Sequence, residues 1–268
     1  MYPFNPFPDQ TQRFLRRGYF ASVTRTDRQF GRLLDALVDS WGLSESTIVA
    51  VHGDHGWHLG EQGEWTKKTN FELGTRVPLM IRAPNKPASH GRRHAGLAEL
   101  VDVYPTLAEL AGLLTPLDLD GTSLVPAFSM DGASVVVKHY AFSQFPACPV
   151  DPTGVRHPLW ASAEPPCQGV PRKETAYFGY SVRSENWRYT AWFHFECPQW
   201  PQNCSVDWSS APFAEELYDH RGGVDAMMDF DSFDVENVVT DPANVAVRDK
   251  LLSALRMQFG STDLNLVV

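Results

Sequence analysis

Much is scarce or missing in this 268-residue chain, and each absence narrows what it can be. No apolar run approaches the roughly 20 residues that cross a bilayer, so no membrane-spanning helix is expected. The opening residues MYPFNPFPDQ hold neither a basic segment nor an apolar stretch, so no secretory leader is read there. A basic excess is missing too: 23 lysines and arginines face 32 acidic residues, for a net charge of −9, which argues against nucleic acid as a partner. Neither an internal repeat nor a low-complexity tract is found. Cysteine is sparse, with four residues confined to 148–204. What remains is 43% hydrophobic and 21% charged, enough for a sizeable core in one large domain or one domain with an appendage.

Chemistry concentrates in residues 48–68, IVAVHGDHGWHLGEQGEWTKK. The β-branched run at 47–51 reads as a buried strand, and it stops abruptly at Gly53-Asp54-His55-Gly56. A carboxylate and an imidazole at the carboxyl end of a buried strand sit where open α/β sheets present their ligands. The flanking glycines let the backbone turn sharply and gather both side chains in one small volume. Asp54 and a neutral His55 are competent metal ligands. Trp57, His58, Glu61, Glu64, Trp65, Lys67 and Lys68 follow. So many titratable and aromatic groups on a glycine-rich loop suit an active site better than a core.

The order strand, Gly-Asp-His-Gly, Gly60-Glu61, then Lys67 thirteen residues after Asp54 (67 − 54) resembles the second metal-binding segment of the sulfatases, within the alkaline-phosphatase superfamily. The flanks agree: GYFASVTRTDRQFGRLLDALVDSWGLSESTIV (18–49), TRVPLMIRAP (75–84), LVDVYPTLAELAGL (100–113) and LDGTSLVP (119–126) follow the family's order. DHGWHLGEQGEWTKKTNFE and GYSVRSENWRYTAW (179–192) are most similar to its iduronate-2-sulfatase branch. This resemblance implies an α/β fold, a mixed sheet sandwiched by helices and present here only in part, with a small α+β subdomain built on an antiparallel sheet. It implies hydrolysis of sulfate monoesters on a glycosaminoglycan-like sulfated glycan, in a lysosomal or secreted setting. Asp54 and His55 match its ligands for a divalent cation, usually calcium. Lys67 matches the catalytic lysine that binds a sulfate oxygen, with Lys68 its immediate neighbour; Trp57 and His58 fall where the sugar would approach. Glu61 and Glu64 are read as bracing the loop.

The sequence also departs from the family. The aspartate pair after the first strand and the Cys-x-Pro-Ser-Arg segment, whose cysteine becomes the formylglycine nucleophile, have no counterpart here. The chain therefore resembles the carboxyl-terminal half of a sulfatase; alone it is expected to be inactive, with the missing amino-terminal half as its partner. Calcium prefers all-oxygen ligation, and many sulfatases carry an amide where this chain has His55. An Asp-His pair also serves zinc or manganese in related enzymes. A phosphodiesterase or phosphonate hydrolase of the same superfamily is the second reading, and a non-catalytic glycan-binding remnant the third.

Along the chain, apolar residues from Phe20 to Trp41 recur at spacings of three and four, predicting an amphipathic helix over about 14–41 that faces a sheet. A second buried strand is expected at 77–81, and a helix over about 102–112 with Asp102 as its N-cap. Composition shifts near 129, dividing a catalytic part (1–128) from a proline- and cysteine-containing connection and small subdomain (129–268). There, 177–183 and 187–192 read as a hairpin, 216–219 as a strand and 245–257 as the last helix. The cysteine spacing suggests bridges Cys148–Cys167 and Cys197–Cys204 in an oxidising compartment, with other pairings open and a zinc site as rival. Asn203-Cys204-Ser205 is a glycosylation sequon.

Overall fold

The computed structural model describes residues 7–129, 135–147, 177–196, 204–221 and 233–260. They divide into two compact units, one of 7–65 with 77–139 and one of 66–76 with the described residues from 140 onward.

In the first unit, α1 runs Asp9–Asp35 and continues as a π-turn over Ala36–Ser40. The apolar spacing makes a helix as expected, but among the described residues α1 buries none of its side chains, and Phe20 and Leu33 stay 59% and 60% exposed. Strand β1 (Val49–His52) pairs antiparallel with β4 (Leu79–Arg82), placing Val49 opposite Arg82 and Val51 opposite Met80. The Gly53 amide donates to the Pro78 carbonyl at 3.1 Å and so carries the pairing up to the Asp54 loop. Both strands were expected to be buried; they are half-buried at most positions, since this sheet has two strands among the described residues.

Helix α3 (Val103–Leu110) buries Thr106, Ala108 and Leu110. Asp102 makes no side-chain cap on α3; it closes the preceding turn of Leu100–Asp102, accepting from the Glu99 amide at 2.8 Å. Its carboxylate also accepts from the Thr122 amide at 2.7 Å and from Lys138 Nζ, which pairs with Glu99 as well. Burial works against the Lys138 charge, but the hydrogen bonds to Asp102 and Glu99 outweigh it and hold the ammonium above its ordinary range. Gly121 belongs to this junction by necessity: a Cβ there would stand 2.0 Å from the Val101 carbonyl oxygen.

The second unit is an antiparallel sheet in the order β5 (Ala141–Ala147), β6 (Tyr177–Arg183), β7 (Trp187–Glu196), β8 (Ser205–Val206), with β9 (Ala214–Asp219) also on β7. The hairpin, the β9 strand and the last helix, α4 (Val245–Phe259), are all as expected from sequence. Side chains alternate across a strand. Tyr180, Val182, Tyr189, Ala191 and Phe193 join Leu217 and, from α4, Leu251 and Leu255 in one buried cluster. The intervening residues Ser181, Arg188 and Thr190 are buried too. Segment 66–76 covers that polar face. Here Gly179 has a specific reason, because a Cβ would meet the Trp192 ring at 2.6 Å.

Cys204 is disulfide-bonded. Cys148, Cys167 and Cys197 lie outside the described residues, and so do both expected pairings.

Candidate functional site

At the end of β1 the chain turns through Gly53 and presents Asp54 and His55 next to each other. His55 Nε2 stands 3.2 Å from Asp54 Oδ2, and the Asp54 side chain is 83% exposed. The other ring nitrogen, Nδ1, donates to the Gly56 carbonyl at 3.0 Å. A carbonyl only accepts, so Nδ1 carries the proton and a neutral Nε2 would turn its lone pair toward the carboxylate. An oxygen and a nitrogen thus stand side by side at the end of the strand. The pair therefore fits a divalent cation as a partial ligand set, one oxygen and one nitrogen. Among the described residues, no group of three or more His, Cys, Asp or Glu side chains gathers around one point.

Trp57 continues this cluster. Its ring lies 6.1 Å from the His55 ring and stacks on Tyr19 of α1 at 6.2 Å with 22° between planes. One turn earlier on α1, Arg16 donates through Nε to the Leu59 carbonyl at 2.9 Å and lies over Trp65, which Phe7 meets edge-on. Gly60 allows that approach: its φ is +114°, and a Cβ would stand 3.0 Å from the Arg16 guanidinium and 3.1 Å from Trp65. Glu61 accepts from the Leu59 amide at 2.5 Å, so it braces the loop. Burial raises the Glu64 carboxyl above its ordinary range. His58, expected against a sugar, is fully buried in strand β2 (His58–Leu59).

Lys67 belongs to the second unit. It follows Thr66, the last residue of β3 (Trp65–Thr66), whose φ is +76°. A β-branched residue rarely adopts that conformation, and it costs on the order of 1–3 kcal/mol. The Thr69 amide donates back to the Lys67 carbonyl at 3.1 Å, closing a tight turn around the lysine pair. Burial, then the neighbouring Lys67 charge, lowers the Lys68 ammonium from its ordinary range.

Beyond Thr69 the segment is anchored by charge. Arg188 Nη1 donates to the Asn70 carbonyl at 2.8 Å; Nη2 donates to Thr75 Oγ1 at 3.1 Å and to the carboxylate of Glu72, at the start of α2 (Glu72–Thr75). Arg183 donates to Glu72 Oε2 at 3.2 Å, and the Glu72 amide donates to Asp234 Oδ2 at 2.6 Å. Asp234 in turn lies 2.8 Å from His220, whose ring stacks on Phe233. Asn70 donates to the Gly179 carbonyl at 3.1 Å and accepts from Ser143 at 3.0 Å. Burial would raise the Glu72 carboxyl, but the Arg188 and Arg183 guanidinium groups outweigh it and hold it at about 2.

Of the residues singled out by sequence, Asp54, His55 and Trp57 are neighbours in the first unit, His58 is buried, and Lys67 stands on the second. Sequence reasoning missed Tyr19 and Arg16, whose i, i+3 spacing on α1 is the one available signal, and the Arg188–Glu72 anchor.

Solved structures define the class first. The chain is similar to one solved with D-glucosamine-2-N,6-O-disulfate as its substrate (TM-score 0.63, 21% identity, 91% of this chain and 41% of that one). It is likewise similar to phosphonate monoester hydrolase of Agrobacterium radiobacter (TM-score 0.62, 24% identity, 90% of this chain and 40% of that one). These likenesses show the fold: the α/β architecture is of the sulfatase and alkaline-phosphatase type. Sequence then gives the family. The Sulfatase family model matches residues 1–113, and iduronate 2-sulfatase of Homo sapiens is 36% identical over 234 residues, covering 76% of this chain and 42% of that protein. The chain belongs to the sulfatase family. It spans 42% of the length of the human and mouse iduronate 2-sulfatases it matches.

Proposed function

We propose that this chain is part of a sulfuric ester hydrolase that removes sulfate from a uronic-acid-containing, glycosaminoglycan-like glycan. The observation that carries this reading is the pair at the end of β1, where His55 Nε2 and Asp54 Oδ2 lie 3.2 Å apart with Nδ1 engaged elsewhere. Sulfate release requires charge on the sulfuryl and departing oxygens to be stabilised. Asp54 and His55 would hold a divalent cation, calcium by family resemblance, which supplies Lewis-acid stabilisation of that charge when bound. Lys67 would bind a sulfate oxygen as a fixed positive charge. Trp57, stacked with Tyr19, would offer an aromatic face to the sugar ring. The nucleophile, a formylglycine in the family, would come from residues outside this sequence, so 1–268 alone is expected to be inactive. His58 would serve from within the fold, holding β2, rather than touching sugar. The Cys204 disulfide supports a secreted or lysosomal setting.

A phosphonate or phosphodiester hydrolase remains the second reading, favoured by the nitrogen ligand His55, which suits zinc or manganese. A thermal-shift titration separates the two. Calcium is expected to raise the melting temperature of the unaltered chain and not of Asp54→Ala, with about 2.7 kcal/mol of stabilisation at a hundredfold excess over Kd. A response to zinc or manganese and none to calcium would favour the second reading. No response to any of the three would remove the cation site.

A further inference from the structure

We propose that Arg188, acting with Glu72, is a positioning residue for Lys67: it fixes segment 66–76 so that the strained backbone at Thr66 holds the lysine in place. The inference rests on the sulfate-binding role given to Lys67 above. It starts from a conformation that Thr66 does not adopt by preference, with φ at +76° immediately before the lysine. A residue kept in such a region needs surroundings that over-determine it. Left to itself, Thr66 would return to the extended region and swing Lys67 away.

The restraint comes from the carboxyl-terminal side. The turn closes at Thr69, and from Asn70 to Thr75 the backbone and side chains are tied to β5, β6 and β7. Arg188 is the hub, because one guanidinium reaches the Asn70 carbonyl, the Glu72 carboxylate and the Thr75 hydroxyl together. A planar fork can satisfy three acceptors spread along one segment; a lysine ammonium, a single point of charge, cannot. Residue 188 is 3% exposed, so no substrate touches it and any effect on binding travels through the segment.

The test is a double-mutant cycle on the full chain with a sulfated uronate disaccharide as probe, read alongside hydrogen exchange. Arg188→Lys keeps the charge and loses the fork; Thr75→Ala removes one acceptor and is the milder variant. Lys67→Ala is expected to weaken the disaccharide Kd about tenfold and Arg188→Lys about threefold, with the double variant no weaker than Lys67→Ala alone. Exchange at residues 66–70 is expected to quicken about tenfold in Arg188→Lys while β6 and β7 keep their protection. Thr66→Gly, at ease at this φ, is expected to shrink the Arg188→Lys loss. Losses that multiply in the double variant, or unchanged exchange at 66–70, would overturn the positioning role alone. Unchanged affinity in Lys67→Ala would overturn the sulfate reading, and this role with it.

Discussion

The two units bury their apolar residues very differently. In the second, the sheet β5–β9 closes against α4: Tyr189, Leu217 and Leu255 are fully buried, and even its polar face is sealed by residues 66–76. In the first, a 27-residue helix carries a regular apolar stripe and buries none of it. Helical periodicity therefore records that a face is meant to be covered, not what covers it. The comparison also separates two kinds of site. Asp54 and His55 stand on a glycine turn after a half-buried strand, whereas Lys67 precedes a segment, residues 70–75, that is tied down by a buried ion network.

The contrast can be broken or sharpened by substitution. Arg188→Met leaves Glu72 and Asp234 buried without their shared cation, so it is expected to destabilise the chain by about 3–5 kcal/mol in urea unfolding. Leu251→Ala, in the closed core, is expected to cost about 2–5 kcal/mol. Acid should act through Glu72. Its carboxyl titrates near 4.5 when unfolded and at about 2 when folded. The unfolded chain thus binds the extra proton between those values, and stability falls as pH falls through that window. The contribution, present in full above pH 4.5, is roughly 3 kcal/mol; Glu72→Gln should flatten that part of a Tm-against-pH profile. Smallest of all, Phe20→Ala on the open face of α1 is expected to move stability by less than about 0.5 kcal/mol. A loss as large as that of Leu251→Ala would mean that α1 is covered after all.

Much of the second unit was legible because strands announce themselves by alternation: in Trp187-Arg188-Tyr189-Thr190-Ala191 every other residue is apolar. The same alternation gives no sign that Arg188 and Thr190 are buried, as they are. The cover comes from Asn70, 118 positions away in sequence, and no local pattern encodes that contact. Asp102 shows a related limit, since an acidic residue before a helix suggests a cap, yet its partners Thr122 and Lys138 come from later in the chain. At the candidate site, glycines around Asp54 and His55 made the turn visible, and the loop's spacing to Lys67 carried the family likeness. The burial of His58 was not visible, because an imidazole suits a ligand site and a satisfied interior equally well.

One measurement bears most directly on the central claim: turnover of a sulfated uronate disaccharide, with calcium present, by residues 1–268 alone and with a nucleophile-bearing amino-terminal sulfatase half supplied. The expected result is no turnover alone, turnover with the second half, and a loss of about 10²–10³ in kcat/KM for Asp54→Ala and for Lys67→Ala. Turnover that survives both substitutions unchanged would contradict the assignment of this loop as the sulfate site.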